Sequence, residues 1–231
     1  MPVNLDQVVP WGRSLGEYTR MFDLNDRELE WKILDCAGGP ASFNAEMHQR
    51  GGHVISCDPI YRFSAAEIAT RIDDTYPNIL QKTTETRAHF LWHEIRSPEE
   101  LGKLRIVAMK QFLADFPQGV SEGRYPAAEL PSLPFRDQEF DCALCSHFLF
   151  TYGHLLTLQF HLDAIRELCR AARETRIFPL VPNFGDSRSP HVEPVVKQLG
   201  EDGYCCEIRR VNYEFQKGGN EMLRVILVER Q

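Results

Sequence analysis

Apolar positions along the chain alternate between short unbroken runs, which suit buried strands, and stretches at helical spacing. Ile33-Leu34 is a run that breaks off at Asp35 and enters the small-residue turn Cys36-Ala37-Gly38-Gly39-Pro40. Pro40 at a first-turn position and Gly51-Gly52 past the end bracket a helix from about Ala41 to Arg50. Val54 to Cys57 then reads as a buried strand ending at Asp58, which completes a strand-helix-strand unit. Ahead of it, a loop leads to a short helix from about Ser14, and Asn25 with Glu28 forms a capping box before Trp31.

From Ile60 to Gly123 strand signals give way to helix signals. Ser64 with Glu67, and Ser97-Pro98 with Glu100, are capping boxes, and the pattern predicts helices near Ala65 to Thr75, Ile79 to Glu94 and Pro98 to Asp115. Further on, Leu155, Leu158, Leu162, Ile165 and Leu168 line one face of a helix expected from Leu155 to Ala172. Arg176 to Val181 reads as a strand that must end or bulge at Pro179. A helix from Ser189-Pro190 to Leu199 follows, then strands Cys205 to Phe215 and Met222 to Glu229 joined by the Gly/Asn-rich hairpin Gln216 to Glu221.

The turn after Asp35 carries the chemistry. Without bulky side chains it lets a ligand approach the backbone, and the helix start behind it offers unpaired N–H groups. An acid ending the second strand can accept from both hydroxyls of a ribose, which marks Asp58 as the principal nucleoside contact. The spacing G-x-G-x-x-G of dinucleotide folds is absent here, because Gly38 is followed by Pro40 and Phe43. Asp35-x-Ala37-x-Gly39-x-Ala41 instead resembles the acidic-x-Gly-x-Gly-x-Gly motif of class I S-adenosylmethionine-dependent methyltransferases, with the outer glycines replaced by alanine. Glu129-Leu-Pro-Ser-Leu-Pro-Phe135, followed by the Phe140-Asp141 run, is similar to the segment around that family's third and fourth strands.

The resemblance implies an α/β three-layer sandwich with a seven-stranded, mostly parallel sheet whose last strand is antiparallel. Residues 1–231 then form one domain, with 60–123 a helical insertion after the second strand that acts as a lid or acceptor-pocket element, or alternatively as extra packing or a homodimer surface. It implies a cofactor site for S-adenosylmethionine made by Asp35, Ala37, Gly38, Gly39, Pro40, Asp58, Pro59, Glu129, Leu130 and Ser146. Glu129 would accept from the adenine amino group and Leu130 would pack on the ring. His147, at the end of the fourth strand, leads as general base, and Arg13, Tyr18 and His154 are candidates for an acceptor pocket, with Glu17 beside them. His89 and His93 with Glu94 lack further ligands for a metal, so none is expected.

Composition narrows the partners. The 231 residues are 43% hydrophobic, enough for one core plus an insertion. No run approaches the ~18 apolar residues of a membrane span. Met1 to Asp6 shows no basic stretch leading into an apolar one, so a cytoplasmic location is expected. With 26 basic against 33 acidic residues the net charge is −7, and no cationic stripe is visible, which disfavours nucleic acid and favours a small-molecule acceptor. Seven scattered cysteines read as reduced thiols; Cys142 and Cys145, three apart on one strand, point to opposite faces. The expected function is methyl transfer to a small molecule. A cofactor-binding module without turnover is the competing reading, and a nicotinamide-dependent reductase is disfavoured by the glycine spacing.

Overall fold

The computed structural model describes residues 8–228. The Met1 to Asp6 reading and the terminal Glu229 of the last expected strand lie outside the described residues. The strands are β1 (Lys32–Cys36), β2 (His53–Cys57), β3 (Phe140–Ser146), β4 (Ala172–Phe178), β5 (Tyr204–Arg210) and β6 (Glu221–Leu227). They form one sheet in the order β2-β1-β3-β4-β6-β5. β1 to β4 are mutually parallel, and β6 runs antiparallel to both of its neighbours.

Six strands stand where seven were expected. The missing strand belongs at the free edge of β2, where the chain returning from the insertion makes one ladder-like bond, Ser56 N to Arg124 O at 2.9 Å. Pro126 follows, and its lack of an N–H stops a ladder from extending.

Helices α1 (Leu15–Met21) and α2 (Phe43–Gln49) pack on one face, and α5 (Leu158–Ala171) and α6 (Val192–Glu201) on the other. Side-chain alternation along β3 feeds both layers: Cys145 lies in the core under α5 and α6, and Cys142 in the core under α1 and α2. All seven cysteines are free. α1 is closed by the Ser14–Glu17 capping box. α2 begins two residues later than expected, because Pro40 and Ala41 belong to the turn itself.

The insertion is two long helices, α3 (Ala65–Glu85) and α4 (Pro98–Ser121), rather than three. Pro77 sits inside α3 on its solvent side, where water can satisfy the carbonyl that proline leaves without a donor. The chain leaves the helix at Thr86, so His89 falls in a short 3-10 turn and His93 in irregular backbone, and the two share no helical face. Among the described residues no group of three or more His, Cys, Asp or Glu side chains is placed to hold a metal ion. Beneath α3 and α4, Ile68, Ile72, Phe112 and Phe116 gather with Tyr61 and Tyr125 in a third apolar cluster.

β4 ends at Phe178, immediately before Pro179, as the missing donor requires. α5 starts at Leu158, capped by the Thr157 hydroxyl, so the expected first turn from Leu155 is absent. Among the described residues no helix is long and apolar enough to cross a membrane.

Candidate functional site

The turn after β1 is held from below and from the side. Ala37 and Gly39 take positive φ values of 57° and 53°, a conformation that costs a non-glycine residue about 1 kcal/mol. Three bonds pin it there: Ala37 N donates to Cys57 O (2.8 Å), Gly39 N to Asp58 Oδ2 (3.0 Å), and Tyr61 Oη to Gly39 O (2.7 Å). A Cβ at Gly38 would run into Asp35 Oδ2, which explains glycine at that position.

Asp35 is itself a correction. Its oxygens accept from Tyr18 Oη (3.0 Å) and Ser56 Oγ (2.9 Å), and the side chain is buried under the turn instead of facing a ligand. Burial pushes its pKa up to about 7, against the pull of those two hydrogen bonds. It positions the turn and does not line the cavity above it.

That cavity, about 760 Å³, follows the carboxyl edge of the sheet. Going from β2 to β4, its lining passes from Asp58 and Pro59, through Ala37, Gly38, Gly39 and Pro40, to Ser146 and His147, and then to Phe178 and Pro179. Glu129 and Leu130 contribute to the same wall. Asp58 accepts from Gly39 N and from Ile60 N (2.8 Å), one bond on each oxygen, which leaves lone pairs for a ligand. Burial raises its pKa to about 6; the two backbone bonds oppose this, and the nearby Glu129 charge adds to it.

His147 has a positive φ of 51° and donates its backbone N–H to Phe178 O (2.6 Å). Its Nδ1 lies 2.9 Å from Ser146 Oγ. Burial, and then the positive charges of Arg13 and Arg105, hold its pKa well below the ordinary histidine value. It is therefore neutral at physiological pH: it can accept a hydrogen bond or a proton, but as a weaker base than a free imidazole.

Arg13 and Tyr18 also line the cavity, although the Tyr18 hydroxyl is committed to Asp35 and its ring stacks on Phe43 at 4.3 Å. His154 is a second correction. His154 lies in the turn that precedes α5, exposed and away from the cavity lining.

Arg105, Tyr213 and Tyr61 were not read from the sequence, although all three shape the site. Arg105 of α4 is 2% exposed and grips Glu17 with both terminal nitrogens, at 2.6 and 2.7 Å; Tyr213 Oη adds a third bond to Glu17 at 3.0 Å. The signal for Arg105 was present. It occupies the apolar face of α4 that Leu101, Met109 and Phe112 otherwise fill, and a charge inside such a stripe marks a buried partner.

No family model matches the chain. The Uncharacterized protein MJ0045 of Methanocaldococcus jannaschii is 35% identical over 223 residues, spanning 96% of this chain and 97% of that protein. The chain belongs to the family of MJ0045. Solved structures similar to it include the magnesium protoporphyrin IX methyltransferase of Synechocystis PCC 6803 with bound SAM, at 12% identity and TM-score 0.44, covering 88% of this chain and 73% of that one. An Aquifex aeolicus SAM dependent methyltransferase is 13% identical at TM-score 0.41, with 90% of each chain covered. A SAM-dependent methyltransferase of Methanosarcina mazei is 14% identical at TM-score 0.43, covering 87% of this chain and 94% of that one. TM-scores this low add nothing to what the geometry of the cavity supports.

Proposed function

We propose that the chain is an S-adenosylmethionine-dependent methyltransferase acting on a small molecule. One observation carries this reading: a cavity at the carboxyl edge of a mostly parallel sheet has hydrogen-bond acceptors, Asp58 and Glu129, along its nucleoside wall and a glycine turn between them and Ser146-His147. The acceptor set fits the cofactor. Asp58, with a lone pair free on each oxygen, would hold the two ribose hydroxyls, Glu129 would accept from the adenine amino group, and buried Leu130 would pack on the ring. Gly38, whose Cβ would strike Asp35 beneath the turn, lets the turn close down on that acid, and Gly39, at positive φ beside Asp58, leaves room for close approach.

When bound, S-adenosylmethionine supplies an electrophilic methyl group on a sulfonium sulfur. The chain's residues bind, orient and dispose of a proton. Asp58 and Glu129 set the position of the nucleoside, and the β1 turn sets its depth. His147, kept neutral, accepts the proton of an acidic acceptor group, with Ser146 Oγ orienting the imidazole through Nδ1. So weak a base suits an acceptor that ionises readily or arrives already ionised.

Titration with S-adenosylhomocysteine as a function of pH tests the reading. The ribose hydroxyls prefer the charged Asp58, whose pKa in the free protein is about 6. Affinity should therefore rise as pH increases through 6 and level off above it, with binding about tenfold weaker at pH 5 than at pH 8. A pH-independent affinity would remove Asp58 from the contact. Turnover separates the enzyme from the competing reading of a binding module: incubation with S-adenosylmethionine and a metabolite mixture should yield S-adenosylhomocysteine, and cofactor binding with no product assigns the module.

A further inference from the structure

Beyond Ser146-His147 the cavity changes character, and three of its lining residues carry a buried polar atom without a partner: Arg105 Nε, on a guanidinium whose terminal nitrogens are held by Glu17, and two atoms on Arg13 and Thr151. Arg13 Nε makes no hydrogen bond, while one terminal nitrogen of the same guanidinium donates to Trp11 O at 3.0 Å. Thr151 Oγ1 is likewise unpartnered, on a residue 5% exposed. Both residues line the cavity, and both atoms can donate. A buried donor without an acceptor costs about 1–3 kcal/mol, which a ligand acceptor in the same place would recover.

The charge count at this end points the same way. Arg13 and Arg105 face one carboxylate, Glu17, whose two oxygens are already taken by Arg105, Tyr213 and the α1 cap. One positive charge is left over, and it acts on His147, Tyr152 and Tyr213 across the cavity. Around it the wall is aromatic. Phe90 stacks on Phe215 (4.9 Å) and meets Phe184 edge to face (6.1 Å), and Tyr152 joins the same cluster. Flat apolar rings next to an uncompensated guanidinium recognise a flat ligand that carries an anion.

We propose that the methyl acceptor is an aromatic carboxylate, its carboxylate held by Arg13 and Thr151 and its ring placed among Phe90, Phe184 and Phe215. The proposal rests on the methyltransferase reading for the word acceptor, but the anion site stands on its own residues.

Calorimetric titration of the S-adenosylhomocysteine-loaded protein with 2-naphthoate and with its neutral isostere 2-naphthamide tests it. The carboxylate should bind at least about tenfold more tightly, the scale of one charge-assisted hydrogen bond. Arg13→Gln should erase that preference, and Thr151→Val should reduce it, while each variant keeps its affinity for S-adenosylhomocysteine. Equal binding of the two probes, or binding of neither, overturns the proposal. So does the outcome in which Arg13→Gln weakens S-adenosylhomocysteine but not 5′-methylthioadenosine, because Arg13 would then serve the amino-acid carboxylate of the cofactor. If wild-type protein binds no S-adenosylhomocysteine, the methyltransferase reading fails separately, and the same two naphthyl probes on the unloaded protein decide the anion site.

Discussion

Arg105→Met is expected to destabilise the fold by about 3–5 kcal/mol, the scale for leaving one member of a buried ion pair without its partner. Arg105 comes from the insertion and Glu17 from α1, so their two-pronged bond ties α4 to the segment that floors the cavity. Arg105, through its charge and its hydrogen bonds, holds the Glu17 pKa down to about 2 in spite of burial. A carboxylate with a lowered folded pKa contributes stability that is present above its unfolded value, 4.5, and is lost as pH falls through 2. The cost of the substitution should accordingly be complete at pH 7 and shrink on acidification below about pH 4.5. Urea unfolding across that range measures it. Glu17→Gln combined with Arg105→Met should recover most of the loss, since removing both partners leaves no lone charge. A loss under about 1 kcal/mol for the single variant at pH 7 would mean that the pair is not what closes the insertion onto the cavity.

Asp58→Ala should weaken S-adenosylhomocysteine binding by about 1–3 kcal/mol, or about five- to 150-fold, as two charge-assisted bonds disappear. The same side chain braces Gly39 N and Ile60 N, one on each oxygen, so Asp58→Asn keeps one bracing bond and sets its NH2 against the other N–H, whereas Asp58→Ala loses both. The linkage has the opposite sign to that of Glu17. With its folded pKa raised to about 6, Asp58 contributes stability below its unfolded value of 3.8 and loses it as pH rises through 6. Removing the charge is therefore best tolerated near pH 8, and Asp58→Asn should cost less stability there than at pH 5 while still binding less cofactor. If both variants bind normally, the ribose assignment fails.

The cavity wall proposed for the cofactor could be assembled from sequence because each of its parts is a short local motif. Turn residues, a strand-ending acid and the Glu129-Leu130 pair are each marked by their immediate neighbours, and Ala37 to Pro40, Asp58, Glu129 and Ser146 all line one cavity. The side proposed for the acceptor could not be, because its parts are far apart in the chain. Arg105 meets Glu17 across 88 residues and Tyr213 meets it across 196, distances over which no periodicity speaks. Asp35 misled for a related reason: an acid beside a glycine turn looks like a ligand contact, and only the packing of Tyr18 and Ser56 against it shows that it is buried beneath the turn, outside the cavity lining. α5 starts three residues later than expected because the Thr157 cap and not the apolar stripe sets its first turn, and His154 lies ahead of both starts, in a turn whose direction no periodicity sets. Pro126, without an N–H, follows the one bond that the chain makes beside β2, and Pro77, which reads as a break, is carried by α3 at an exposed position, with Asp73, whose carbonyl it leaves without a donor, exposed as well.

A crystal structure with S-adenosylhomocysteine decides between these readings. Adenosine should lie along the β1–β2 side of the cavity, both ribose hydroxyls within hydrogen-bond distance of Asp58, the adenine against Leu130, and the sulfur pointing toward His147. Density for the nucleoside elsewhere, or a ribose that leaves Asp58 untouched, would contradict this placement.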